Sequence, residues 1–327
     1  MTTLRAAPPV SDWAALTILL QKARARHDAR AGTTVQAFMR DVEAGYYSEV
    51  DAFIRHYGGD PVLADLLGPL LEDLREYLRW AVWTAWNVAN LVELHDDAGA
   101  RPARRLAGAM LAYAGIRFVD DGLDGHEEYA GRKTLVRLLR DRRPELSPRA
   151  ACAQVVFWGH CLVAWSVRRQ RQNGEIESAE LFEDLFSEFS LGMVAESLLD
   201  GPVDRRRYDR IASRKTVAYN LMLYKPFLVG VEPRTRAHVL RALARMDWLA
   251  QFIDDARDLE EDERDGQLNA FLQGAYDRNG ASAEALARVR EFLLEAAALP
   301  GEVQDALIVM LDNSGVTALA PVALPDS

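Results

Sequence analysis

The stretch Gln251-Phe252-Ile253-Asp254-Asp255-Ala256-Arg257-Asp258-Leu259-Glu260-Glu261-Asp262 puts six acidic residues into nine positions, directly after an apolar run. Asp254, Asp258 and Asp262 are spaced i, i+4 and i+8, so on a helix they share one face, about one turn apart. Like charges at that spacing repel, and stability gives no reason for them. Hard oxygen ligands do have a use, which is to hold divalent cations such as Mg²⁺. Glu260 and Glu261 read as solvated surface. The rest of the chain then raises one question: does a second acidic cluster face this one?

Helical periodicity dominates outward from that stretch, and sustained period-2 alternation is nearly absent. Helices are expected near 11–29, 34–57, 61–92, 102–121, 148–172, 178–200, 204–229, 233–260, 282–297 and 301–313. Gly, Pro or polar turn residues mark the breaks at Gly58-Gly59, Asp96–Pro102, Gly122–Gly131, Pro144–Ser147, Gly201-Pro202 and Pro233. The run Ala103–Val119 is apolar nearly all round, as a helix in the middle of a bundle should be. Trp80-Ala81-Val82-Trp83-Thr84-Ala85-Trp86 suits ordinary core or the wall of an apolar pocket. The reading is an all-α, single-domain bundle of about ten or more helices around a central apolar cavity. It spans residues 1–317, with 318–327 as a flexible tail.

The second cluster is Phe118-Val119-Asp120-Asp121-Gly122-Leu123-Asp124-Gly125, another Asp-Asp-x-x-Asp at the end of a buried helix. Carboxylates at a helix C-terminus oppose the helix dipole, and a cation would remove that penalty. One such motif is weak, but two at the ends of long apolar helices are not. His95-Asp96-Asp97 lacks a third acid at +4 and opens a Gly/Pro break, so it reads as a loop.

Bulk composition narrows the class. The chain has 327 residues, 49% of them hydrophobic and 27% charged, with a net charge of −10. A packed core follows, and a nucleic-acid surface is disfavoured. Cys152 and Cys161 show no zinc spacing and read as buried free thiols. With no signal-peptide pattern and no run of about 18 apolar residues, a soluble cytoplasmic protein without a membrane span is expected.

Two Asp-Asp-x-x-Asp motifs on an all-helical chain of this length resemble the trans-isoprenyl diphosphate synthases and their class I terpene synthase relatives, over roughly residues 75–270. Arg214-Lys215-Thr216 is similar to that family's Lys-Thr motif, and Gln251 also matches. Gly192–Asp200 sits where the family has a Gly-Gln-x-x-Asp helix, with Glu196-Ser197 in place of Gly-Gln and only Asp200 kept. The resemblance implies a metal-held prenyl diphosphate, with three Mg²⁺ ions. Asp120, Asp121 and Asp124 would form one side of the clamp, and Asp254, Asp255 and Asp258 the other. Ionisation of the C–O bond would leave an allylic cation and pyrophosphate. Lys215 would donate to the diphosphate. Arg132, Lys133 and Lys225 are further candidates for it, with a surface role as the alternative. Ala112, Tyr113 and Ile116 would set pocket depth. Tyr219 would face the cation or pack in the core. Relatives in that family are commonly dimers, so a homodimer is an expectation too.

The chain departs from the elongating members. Their Gly-Gly-Lys-Arg-x-Arg-Pro segment has only a poor match in Gly99-Ala100-Arg101-Pro102-Ala103-Arg104-Arg105, and Gly131-Arg132-Lys133-Thr134 only loosely replaces a later Arg-Arg-Gly. A weak second diphosphate site argues for a class I terpene synthase that ionises one substrate and rearranges it. Asp262 supports this, because an Asp254-Asp255-x-x-Asp258-x-x-x-Asp262 pattern fits an all-Asp version of the cyclases' motif. The alternative is a chain-elongating prenyltransferase using isopentenyl diphosphate, and a non-catalytic partner subunit is the third reading. A di-iron bundle would need Glu-x-x-His pairs, which are missing.

Overall fold

The apolar runs fold as helices because each has a face to bury. The structure, a computed structural model, describes residues 10–59, 61, 71, 72, 74, 75, 77–79, 82–94, 100–129, 131–199 and 201–320. Among these residues the α-helices are α1 Trp13–Gly58, α2 Val82–Ala89, α3 Ala100–Asp124, α4 Leu135–Arg142, α5 Pro148–Gln172, α6 Ile176–Ser197, α7 Arg205–Ala212, α8 Ala218–Leu228, α9 Pro233–Arg257, α10 Leu259–Asp265, α11 Ala281–Ala296 and α12 Gly301–Asn313. Among the described residues the one sheet is an antiparallel pair of two-residue strands, β1 Glu128–Tyr129 and β2 Arg132–Lys133, turning at Gly131. The all-α expectation holds. Trp80, His95-Asp96-Asp97, Gly99 and Asp200 lie outside the described residues, as do the side chain of Trp83 and positions 321–327 of the expected tail.

Several starts are capped as the sequence suggests. Asp12 accepts from Ala15 N at 2.9 Å and Ser147 from Ala150 N at 3.2 Å. Asp204 accepts from Arg207 N at 2.8 Å, and Glu232 accepts from Arg234 N and Thr235 N just ahead of Pro233. Two boundaries differ from expectation. The expected helices at 11–29 and 34–57 are one helix, α1. Gly32 costs it only about 1 kcal/mol relative to Ala, while the buried stripe Leu20, Ala23, His27, Ala31, Val35 and Phe38 runs through without a break. The expected helix at 204–229 contains a π-helical turn over Ser213–Val217, between α7 and α8.

Helix α3 is the centre of the molecule, and it packs most extensively on α5. Small residues let the two backbones approach. A Cβ on Gly115 would stand 2.7 Å from Gly159 O, one on Gly159 2.5 Å from Gly115 O, and one on Gly122 2.7 Å from Val156. Nothing larger fits without separating the helices. By length and composition α5 is apolar enough to cross a membrane, and half of the qualifying stretch is buried in the fold. Both cysteines are free and half-buried on this helix, and burial raises their thiol pKa values.

Candidate active site

The two acidic clusters meet. The C-terminal end of α3 and the junction of α9 with α10 face a common cleft of about 610 Å³. Asp120 and Asp124 line it from one side, and Asp254, Asp255, Asp258 and Asp262 from the other. Helix α9 ends at Arg257, yet the amide of Asp258 still bonds to Asp254 O and that of Asp262 to Asp258 O. The i, i+4, i+8 row therefore survives the change of helix.

The structure divides each Asp-Asp pair. Asp121 is fully buried, does not line the cleft, and stands 2.7 Å from Arg117 Nη2. The sequence places Asp121 in the clamp; in the fold its neighbour Asp120 takes the cleft side of the helix. Burial pushes the Asp121 carboxyl up to about 6, against the pull of Arg117. Asp255 is 1% exposed. Tyr208 Oη and Ala270 N each donate to its Oδ2 at 2.6 Å, and Gln251 Nε2 donates to its Oδ1 at 2.6 Å. Burial still raises its pKa to about 6. With both oxygens engaged, Asp255 ties the 266–276 loop to α9. That loop returns a bond, as Asn269 Nδ2 donates to Asp255 O at 2.6 Å and to Asp262 Oδ2 at 2.7 Å.

The remaining acids suit a hard cation. Asp120 Oδ1 is buried with no hydrogen-bond donor. Asp254 reaches solvent at the cleft mouth, yet enclosure by the walls, then Asp258, Asp255 and Asp262, push its pKa up to about 6. Mutual repulsion of this kind is relieved by a bound divalent ion. Among the described residues no trio of side chains stands ready-made to hold a metal ion. Asp120 faces the cations Arg117, at 3.2 Å, and Lys215, at 3.8 Å.

Lys215 owes its place to the π turn and to Gly192. A Cβ at Gly192 would stand 2.8 Å from Lys215 N, so only glycine lets α6 lie against this turn. One turn further along α6, Glu196 Oε2 meets Lys215 Nζ at 2.9 Å. Burial would lower the Lys215 pKa, but Asp120, Glu196 and Asp124 together raise it, so it stays charged. Thr216 Oγ1 donates to Gln251 Oε1 at 2.5 Å, which fixes the amide that holds Asp255. π turns recur at functional sites because they re-aim side chains. Here Ile211, Lys215 and Tyr219, and Ala212, Thr216 and Asn220, all line the cleft.

The other expected residues separate clearly. Tyr113 and Ile116 line the cleft, and the ring of Tyr113 stacks on Tyr219 with centroids 4.0 Å apart. Ala112 is buried in the core and does not reach the cleft. Arg132 and Lys133 are exposed on β2 outside the cleft lining, and Lys133 pairs with Asp141 at 2.7 Å. The hairpin turn carries both away. Lys225 lies half-buried outside the lining, its pKa lowered by burial. Arg117, His126, Glu196, Tyr208, Asn220 and Gln267 line the cleft without having been singled out as site residues. For Arg117 the signal was present, a cation one turn before Asp120 and Asp121 on the same helix.

Comparison with known proteins gives the fold. No family model and no curated protein sequence matches the chain. Solved structures do. The decaprenyl diphosphate synthase of Rhodobacter capsulatus is 17% identical with a TM-score of 0.60, over 90% of this chain and 100% of that one. The polyprenyl synthase of Caulobacter crescentus, complexed with calcium and isoprenyl diphosphate, is 17% identical with a TM-score of 0.62, over 86% and 97%. The geranylgeranyl pyrophosphate synthase of Corynebacterium glutamicum, complexed with isoprenyl diphosphate and magnesium, is 17% identical with a TM-score of 0.57, over 88% and 94%. The chain thus has the all-helical fold of the trans-isoprenyl diphosphate synthases, with its own two acidic clusters facing one cleft.

Proposed function

We propose that the protein is a divalent-metal-dependent enzyme that ionises an allylic prenyl diphosphate and transfers the prenyl cation to isopentenyl diphosphate. The observation that carries the first half is the opposition of Asp120 and Asp124 to Asp254, Asp258 and Asp262 across one cleft, with Lys215 beside Asp120. Those five carboxylates are the residues that would hold Mg²⁺. Ions bound there supply charge neutralisation for a leaving diphosphate. Lys215 and Arg117 would orient the diphosphate, with Glu196 aligning Lys215. Ile116 would wall the hydrocarbon, and Phe189, Tyr113 and Tyr219 would present ring faces to a cation. Asp121 and Asp255 would serve as supports rather than ligands.

The acceptor assignment draws on the fold shared with polyprenyl and geranylgeranyl diphosphate synthases. A second reading, a terpene synthase that rearranges a single substrate, is favoured by the sparse supply of cations. The basic run Arg104-Arg105 lies inside α3, sixteen residues before Asp120, hence about 24 Å away along the axis. Arg105 is also paired with Glu175 at 2.6 Å.

Incubation with Mg²⁺ and geranyl, farnesyl or geranylgeranyl diphosphate, with and without isopentenyl diphosphate, separates the readings. Longer diphosphates formed only with isopentenyl diphosphate support transfer. Hydrocarbons or alcohols from the allylic substrate alone, unchanged when isopentenyl diphosphate is added, support the synthase.

A further inference from the structure

One buried acid takes no part in the scheme above. Asp247 lies on α9, one turn before Gln251 and two before Asp255, on the same helix face. It is 1% exposed. Its Oδ1 accepts from Asn220 Nδ2 at 3.1 Å and from Tyr224 Oη at 2.9 Å. Its Oδ2 is buried with no hydrogen-bond partner. Burial raises its pKa well above the carboxylate range, and the two neutral donors offset only part of that. A buried acid without a paired cation is costly, and an apolar side chain of similar volume would serve the core better.

Asn220 connects this acid to the cleft. It lies on α8, one turn beyond Thr216, and lines the cleft. Because its Nδ2 is given to Asp247, its amide orientation is set. That bond uses the amide nitrogen and leaves Oδ1 as the acceptor on the other side of the amide. Tyr113, Ile116, Phe189 and Tyr219 line the same cleft. An amide carbonyl in the lining is a poor wall for a hydrocarbon and a good seat for a hydroxyl.

We infer that Asn220, oriented by Asp247 and Tyr224, seats one water in the hydrocarbon half of the cleft, and that this water captures the allylic cation to give a prenyl alcohol. The inference rests on the ionisation step proposed above and applies when no isopentenyl diphosphate is bound. The allylic C–O bond breaks with its electron pair on the departing pyrophosphate. A lone pair of the water forms the new C–O bond, and the oxonium proton passes to pyrophosphate. Asn220 binds the nucleophile, and Asp247 is a positioning residue.

The test uses the full chain with Mg²⁺ and farnesyl diphosphate in ¹⁸O-water, without isopentenyl diphosphate, reading pyrophosphate release and product identity together. The expected product is an alcohol carrying one ¹⁸O, and as one stereoisomer where the carbinol is chiral; solvolysis in bulk water gives a racemate. Asn220→Leu should lower the alcohol-to-olefin ratio about tenfold. Asn220→Ser, which keeps an oxygen, should recover part of it, and the isosteric Asp247→Asn should fall between. A ratio is read rather than a rate, so partial loss of folded protein does not imitate the effect. Racemic alcohol, or a ratio unchanged in Asn220→Leu, overturns the inference. Pyrophosphate release with no alcohol overturns it while leaving ionisation standing. No pyrophosphate release from any allylic diphosphate overturns the proposed function itself.

Discussion

Asp254 and Asp255 are adjacent, yet their replacement should have opposite consequences. Asp255→Ala removes the acceptor for Tyr208 Oη, Ala270 N and Gln251 Nε2. Tyr208 and Ala270 are buried, so two donors lose their partner. At about 1–3 kcal/mol each, the loss is about 4 kcal/mol. The comparison belongs at pH 5, below the Asp255 pKa of about 6, where the acid is largely neutral and its removal brings no relief of buried charge. For a chain of this size the melting temperature should fall by about 6 °C. Asp254→Ala removes a residue repelled by Asp258, Asp255 and Asp262, and should change stability by no more than about 1 kcal/mol. Its pyrophosphate release should nevertheless fall more than about 100-fold, because it takes away a proposed metal ligand. Thermal unfolding by circular dichroism and a pyrophosphate-release assay together decide. If Asp255→Ala melts within about 2 °C of the parent, or Asp254→Ala falls as far as Asp255→Ala, the division of labour between the two acids is wrong.

Lys215→Gln shortens the side chain by one atom and removes its charge, so diphosphate turnover should fall about 100-fold or more while the helical signal stays; near-parental turnover would remove Lys215 from the site. Arg132→Ala and Lys133→Ala should each change turnover less than about twofold, since both side chains are exposed outside the cleft lining; a larger drop would show that the β1–β2 hairpin folds over the substrate. Gly192→Val puts a branched side chain where a single Cβ already meets Lys215 N at 2.8 Å, and should cost about 1–3 kcal/mol and displace Lys215, read as lower stability together with weaker pyrophosphate binding. In chelator, stability should fall as pH rises from 5 to 7.5. Asp121 has its folded pKa raised from 3.8 to about 6, so the folded state binds its proton more tightly and loses about 1.4 kcal/mol over that range. Asp121→Asn, followed by urea unfolding, should flatten the slope by about that amount, and an unchanged slope would refute the assignment.

What could be read from sequence divides along physical lines. The helices were legible because burying a face leaves a 3.6-residue pattern, and both acidic motifs were legible because clustered carboxylates have no use in a core. The partition within each motif was not. On α3 a one-residue step turns Asp120 to the cleft and Asp121 to the interior. In the second motif, Asp255 is claimed by Tyr208 from α7 and Ala270 from the following loop, partners 47 and 15 positions away. Spacing alone cannot assign such partners. The same holds for the basic residues. Arg132 and Lys133 follow the first motif closely in sequence, but a hairpin turns them outward, whereas Lys215, 95 positions after Asp120, stands 3.8 Å from it. Its place depends on a π turn, which has no sequence period, and on Gly192, whose missing side chain matters only once α6 lies against that turn. Asp247 is the case with most consequence. In a helical pattern it reads as one polar residue on an apolar face, and only its pairing with Asn220 links it to the cleft. The acidic residues proposed for the chemistry were therefore visible from their type and spacing, while those proposed to orient them required the fold.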